Sequence, residues 1–194
     1  MARIVTTKNK TKKEVITAKA SLLFRKKGFA GTSMRELADL IGVEASSLYN
    51  HIGSKNELLQ NICFSVANDF TAHLQEVLLL SKPLQFRLEQ IIRFHIRIML
   101  ERYDEVYVAN HEWKQLQEPY LSNFLHQRKS YESQLVALVE QGVKEKVFSS
   151  IKPQIAVLTL LSALRGLEYW HSKNIDIKTL EQNMVQQLLH GILK

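Results

Sequence analysis

Three stretches in the first third of the chain repeat one helix-opening signal: Thr11 with Glu14, Ser33 with Glu36, and Ser54 with Glu57. A hydroxyl followed three residues later by a glutamate is the capping-box spacing. The hydroxyl accepts from the third backbone N–H of a helix, and the carboxylate reaches back to the cap. Gly28, Gly42 and Gly53 stand where those helices need a left-handed closing residue. These starts and stops predict helices at about 12–27, 34–41, 46–52 and 54–80. Chain breakers are otherwise scarce, with seven Gly and three Pro in 194 residues. That is too few for the turns of a sheet-rich fold. Longer amphipathic stretches follow, predicting helices at about 84–102, 105–116, 119–146, 153–172 and 176–192. Pro83, Pro119 and Pro153 stand near the starts, where proline is tolerated. The expectation is an all-α fold of about nine helices, with no internal repeat.

The apolar positions of the early helices fall on single faces. Ile16, Ala20, Leu23 and Phe24 line the first, and Leu37, Leu40 and Ile41 the second. In the third, Ala45, Leu48 and Ile52 point inward as an anchor. Ser46, Tyr49 and Asn50 then share the outer face, with Ser47 and His51 flanking them.

Charge is unevenly placed. The net charge is +7, and residues 1–60 hold 11 Lys and Arg against 5 Asp and Glu, a net of +6. A basic block on a folded module implies a polyanionic partner, either nucleic acid or an acidic membrane surface. The single cysteine, Cys63, excludes an intrachain disulfide and a CxxC motif, and it fits a buried thiol. The N-terminal stretch has charges but no apolar segment behind it, so no signal peptide is expected. The longest apolar run, 155–167, is too short for a bilayer and contains Arg165. The chain is therefore expected to be soluble and cytoplasmic, with no membrane partner.

Helix, short turn with Gly42, then helix over 34–52 is the geometry that presents a second helix to the DNA major groove. Ser46 and Ser47 suit phosphate, Tyr49 suits phosphate or a thymine methyl, and Asn50 suits base edges, most naturally adenine. His51 and Lys55 flank this face as backbone clamps. A positive charge in the first turn of a helix opposes its dipole, and a phosphate would explain Lys55 there. The basic arm, with Arg3, Lys8, Lys10, Lys12 and Lys13, adds salt-sensitive affinity. Any three-helix bundle can show this spacing. The conjunction of turn, displayed side chains and charge in one block is what favours DNA.

The stretch "GFAGTSMRELADLIGVEASSLYNHIGSKNELL" (28–59) resembles the signature of the TetR (tetracycline repressor) family of transcription regulators. The order G-[FY]-x-x-T-[ST]-x-x-x-[IL]-A-x-x-[AI]-G-V, then [LI]-Y-x-[HY]-[FI], then K-x-x-L-L is met almost throughout. Ile52 stands where Phe is commoner, and Ile41 where Ala is frequent. The resemblance implies phosphate contacts at Thr32, Tyr49, His51 and Lys55, with Ser33 beside them. It puts Ser46, Ser47 and Asn50 in the recognition helix and makes Arg35 a contact from the preceding helix. It implies a basic arm over 1–10, a helix-turn-helix domain over 11–55, and a ligand-binding and dimerisation domain over 56–194. The later stretches, 120–148 and 153–172, look most like the branch that controls fatty-acid, sterol or aromatic-acid breakdown. Members of that branch commonly bind acyl-CoA thioesters. Arg128, Tyr131, Gly142 and Phe148 carry this likeness, with a helix of small residues ending near Trp170.

In that half, Phe94, His95, Ile98, Met99 and Tyr103 follow one helix face. Tyr107, His111, Trp113, Phe124, Tyr131 and Trp170 add aromatics, most of them with polar tips. Such a set could line an apolar pocket with a few orienting groups. Aromatic and Met stripes at helical spacing are usually core, and position by position core is the favoured reading. Arg128, with Arg93, Arg97 and Lys129, could meet an anionic head group. No HxxxH or HExxH spacing occurs, so neither a metal nor a cofactor is expected.

Ala156, Leu160, Ala163, Leu164 and Leu167 belong to a helix apolar nearly all round, and Leu180, Met184, Leu188 and Ile192 stripe the last one. Pairing both with their two-fold mates makes a four-helix homodimer seam; a packed monomer core is the alternative. The reading is a dimeric repressor on a palindromic double-stranded operator, released by a small hydrophobic or acyl-CoA-like effector. Two rivals are a helical enzyme and a non-specific DNA-packaging protein. The missing GxSxG, GxGxxG and P-loop patterns weigh against an enzyme.

Overall fold

In the computed structural model the described residues are 11–170 and 176–190. They form nine α-helices and no strand element: α1 (Lys12–Lys27), α2 (Met34–Ile41), α3 (Ala45–Tyr49), α4 (Lys55–Leu79), α5 (Leu84–Glu101), α6 (Tyr103–His111), α7 (Tyr120–Lys144), α8 (Pro153–Arg165) and α9 (Ile177–His190). Short 3-10 turns follow α6 at Trp113–Gln115 and α8 at Gly166–Tyr169. They take up the final turns of two helices expected to be longer.

Two of the three capping boxes form as expected, at Thr11 with Glu14 and Ser33 with Glu36. The third is shifted. Ser54 Oγ accepts from Glu57 N at 3.1 Å, but the Glu57 carboxylate reaches past the cap to Gly53 N at 2.9 Å. Gly28 and Gly42 have positive φ, of 76° and 81°, as closing residues should. Gly53 is not among the positive-φ glycines. A Cβ there would meet Glu57 Oε2 at 2.7 Å, so what glycine supplies is room for the carboxylate.

The described residues divide into two compact units. One runs to Ala67 and adds Asp104–Leu125; the other holds Asn68–Tyr103 and the residues from His126 on. The first is built on Ile16, Ala20, Phe24, Leu37, Leu48, Ile52, Leu59 and Ile62, all almost fully buried. Phe24 and Phe29 meet edge to face at 5.2 Å, and an Arg25–Asp104 ion pair ties α1 to α6. On α2 the inward direction passes through Leu37 and Ala38. Leu40, expected inside, is thereby turned to the rim and is 40% exposed.

The second unit packs Leu88, Ile91, Ile92 and Ile96 of α5 with Leu135 and Val139 of α7 and Leu160 and Leu164 of α8 in its core. Arg93 bonds Glu89 one turn back and Glu181 of α9, fastening the last helix to α5. The buried Phe148 ring lies where a Cβ on Gly142 would stand, 2.2 Å from its Cδ2. Cys63 is a buried thiol outside any disulfide. No helix among the described residues is long and apolar enough to cross a membrane.

Candidate nucleic-acid interface and effector site

The candidate interface is built from α2, its turn and α3. Gly42 closes α2 in the left-handed region, giving its N–H to Ala38 and Asp39 carbonyls. Val43, Leu48 and Ile52 are buried and fix the short α3 from beneath. The chain beyond Tyr49 tightens into a turn, with the N–H groups of His51 and Ile52 both on Leu48 O, so α3 stops sooner than expected. Ser46, Tyr49, Asn50 and His51 stand exposed on the displayed side, Tyr49 by half its surface, and Ser47 is partly exposed. Arg35 of α2 is exposed as well. None of these six side chains has a hydrogen-bond or ion-pair partner among the described residues.

The other three expected contacts are built into the scaffold. Thr32 is 3% exposed, and its hydroxyl donates to Gly28 O at 2.9 Å, so it is spent on the α1–α2 connection. Ser33 is exposed, but its hydroxyl accepts from Glu36 N and donates to the Glu36 carboxylate. Lys55 donates from Nζ to Phe29 O at 2.9 Å and Thr32 O at 2.8 Å, over the Phe29 ring at 4.4 Å. These carbonyls and the ring answer the dipole mismatch from inside the protein. Arg3, Lys8 and Lys10 of the arm lie outside the described residues, while Lys12 and Lys13 are exposed on the first turn of α1. The hydrogen bond from Lys27, followed by those from Ser33, holds the Glu36 carboxyl down at about 2.

The twelve effector candidates fall on both units. In the second, Phe94, His95 and Tyr131 come together, joined by Phe70 and His73 of α4, which the sequence reasoning passed over. His95 Nε2 lies 2.7 Å from Tyr131 Oη. Phe70 is 4.4 Å from the His95 ring, and His73 stacks on Phe94 at 4.0 Å. Burial, then the nearby His73 and Arg165, pushes His95 down to about 3, and burial raises the Tyr131 phenol. Both groups are therefore neutral across the physiological range. Ile98 and Met99 are core residues of α5, Tyr103 Oη donates to Glu168 O at 3.3 Å, and Arg128 has its Nη1 buried. Trp170 is 42% exposed at the end of its segment. In the first unit, Tyr107 stacks on His111, Phe124 is buried against Phe64, and Trp113 has Lys114 Nζ 5.7 Å from its ring.

Residues 16–62 match the model of bacterial regulatory proteins of the tetR family, and residues 81–192 match a tetracyclin repressor-like C-terminal domain. The chain belongs to the tetR family. Among its relatives is the HTH-type transcriptional repressor KstR2 of Rhodococcus jostii (strain RHA1), 22% identical over 89% of this chain and 87% of that protein. The fold matches that of the ketosteroid transcriptional regulator KstR2 of Mycobacterium tuberculosis, with a TM-score of 0.88 at 19% identity over 99% and 100% of the two chains. It also matches AibR in complex with isovaleryl coenzyme A and operator DNA, with a TM-score of 0.78 at 22% identity over 90% and 96%.

For a tetR-family chain the expected dimer helices need an uncovered apolar face. Of the nine residues expected there, Leu160, Leu164, Leu167 and Leu180 are buried within this chain. Ala156, Ala163, Met184 and Leu188 are partly covered, and Ile192 lies outside the described residues. The apolar side chains left open are instead Ile155 and Leu158 on α8, 59% and 52% exposed, with Tyr169, Trp170 and Ile177. The open apolar side chains of α8 thus lie around the helix from the expected ones, which their own unit covers in part or whole. Phe70 and His73 could have been found from the sequence as rings three residues apart on one helix.

Proposed function

We propose that the chain is a ligand-responsive transcriptional repressor, a homodimer that leaves a palindromic operator when a small apolar or acyl-CoA-type effector binds. One observation carries this reading. Arg35, Ser46, Tyr49 and Asn50 are displayed on a helix-turn-helix without partners among the described residues, in the part of the chain that carries nearly all the excess positive charge. Water can satisfy such groups on any exposed face; what favours DNA is that phosphate-suited Ser46 and Tyr49 stand with base-suited Asn50 on one short helix beside the turn. The regulatory names of the relatives agree with it, as does the AibR complex with an acyl-CoA and DNA.

In this reading residues 11–55 bind DNA, residues 56–194 sense and dimerise, and the helical half is a sensor rather than an enzyme, acting in the cytoplasm. A two-fold protein places its recognition helices about 34–36 Å apart, one helical turn of DNA. Release requires the effector to bind the DNA-incompetent arrangement more tightly than the competent one.

Fluorescence anisotropy on DNA from the gene's own upstream region, titrated with acyl-CoAs of increasing chain length, tests the reading. Site-preferring binding, roughly a thousandfold over random duplex, that an acyl-CoA abolishes is the expected result. Equal binding to every duplex would make this a packaging protein. Specific binding indifferent to all acyl-CoAs would discard that effector class and keep the regulator.

A further inference from the structure

The ring cluster of the second unit has a chemistry that packing alone does not require. Phe70 and His73 come from α4, Phe94 and His95 from α5, and Tyr131 from α7, and all five keep partial exposure. Phe70 meets Phe94 edge to face at 5.6 Å and Tyr131 at 6.1 Å. Within these aromatic walls lies the 2.7 Å contact between His95 Nε2 and Tyr131 Oη. Two polar tips enclosed by rings are costly unless their hydrogen-bonding capacity is used.

The proton count of the pair is the same in either tautomer. If His95 carries its proton on Nε2, it donates to Tyr131, and the phenol hydrogen is left to give. If the proton is on Nδ1, Tyr131 donates to Nε2, and the Nδ1 hydrogen is left. Each arrangement keeps one spare donor with no charge behind it. We propose that the His95–Tyr131 pair is the reading head of the effector site, and that it hydrogen-bonds an uncharged carbonyl oxygen on the apolar end of the ligand. This rests on the effector-responsive reading above and deepens it.

The environment separates a carbonyl from a carboxylate. A carbonyl needs one donor and brings no net charge to be desolvated. A carboxylate needs several donors or a buried cation. His95 does not become that cation, since burial, His73 and Arg165 all oppose its protonation. Arg97, with Cζ 5.5 Å from the Phe94 centroid, and Arg165 are both exposed. Glu76 acts on His73 against Arg97. The Arg97 and Arg165 guanidiniums suit an anionic portion of the ligand held at the surface, away from the paired rings.

The test uses two matched probe pairs, methyl nonyl ketone with undecanoate and cyclohexyl methyl ketone with cyclohexanecarboxylate. They are titrated by calorimetry into the full-length protein and its Tyr131→Phe and His95→Gln variants. Acyl-CoA-driven operator release is followed in parallel. The expected result is ketone binding about tenfold or more tighter than the matched carboxylate. Tyr131→Phe reduces that preference, because the His95 ring then offers only its own N–H, no longer fixed by the phenol, and His95→Gln, which keeps a neutral donor and acceptor beside the phenol, retains more of it. Carboxylates that bind as tightly as ketones overturn the proposal and leave an effector site of another chemistry. Acyl-CoA release that is unaltered in Tyr131→Phe overturns it too, by locating the effector elsewhere. If no ketone binds and no acyl-CoA releases DNA, the proposal and the effector reading fall together.

Discussion

The ammonium of Lys55 lies 2.8 Å from the carbonyl oxygen of Thr32 and 2.9 Å from that of Phe29, which makes it the clasp between α4 and the α1–α2 connection. Lys55→Met keeps the apolar stem and removes the donor. It should lower the unfolding free energy by about 1–3 kcal/mol, the worth of charge-assisted bonds to partly buried carbonyls. A urea melt checks this. A lysine held in reserve for phosphate would leave the midpoint where it was.

Asn50 is exposed on the displayed side of α3, and its amide is suited to an adenine edge. Asn50→Ala should weaken the operator by about tenfold to a hundredfold while hardly changing binding to random duplex. Anisotropy on both duplexes at one salt concentration gives the ratio. A loss shared equally by the two would show that Asn50 reads nothing.

Acid should destabilise the second unit through His95. Its folded pKa is pushed down to about 3 from 6.5, so between these values the unfolded chain binds a proton that the fold refuses. Stability is whole above pH 6.5 and falls by about 1.4 kcal/mol per unit below it. His73 is shifted in the same direction. Glu36 acts in a separate window: its contribution is present above the ordinary carboxylate value of 4.5 and is lost as the pH falls through about 2. Melting temperatures between pH 7 and 5 should therefore decline in the wild type and decline less steeply in His95→Gln, where His73 alone remains.

Alanine normally gains about 1 kcal/mol over glycine inside a helix. At position 142 the balance reverses, because the new Cβ would lie 2.2 Å from Phe148 Cδ2. Gly142→Ala should lose about 1–3 kcal/mol through overpacking. Calorimetric melting decides the sign.

Leu158 is 52% exposed beside Ile155 on α8. If the dimer seam runs along these residues, Leu158→Glu should convert the dimer to monomer in sedimentation velocity, with its helical content kept. The same change at the buried Leu160 should unfold the chain instead.

Helix ends were legible because their causes are local. Thr11 and Ser33 cap through atoms three residues away, and Gly42 closes α2 through its own φ. Glu57 was misjudged by one residue, since a flexible carboxylate chooses between two neighbouring N–H groups by turn geometry that spacing does not encode. The displayed face of α3 followed from the inward positions of Leu48 and Ile52. Thr32 and Lys55 were harder, because a family motif records which residue stands at a position but not which of its partners is internal. Phe70 and His73 were missed because the rings that give them meaning come from α5 and α7. Leu160 and Leu164 lie on a helix apolar nearly all round, where periodicity cannot say which side the chain covers itself.

Helix α3 has five residues, and its first residue is preceded by Glu44, which makes no side-chain cap. So short a helix has no stability of its own in water. The face proposed to meet DNA is therefore held from behind, by Leu48 seated in the core and Gly42 setting the angle of entry. A base-reading surface of this kind behaves like a seal on a handle. Its imprint depends on how firmly it is mounted, and a change at Leu48 can blur the message without touching a single letter of it.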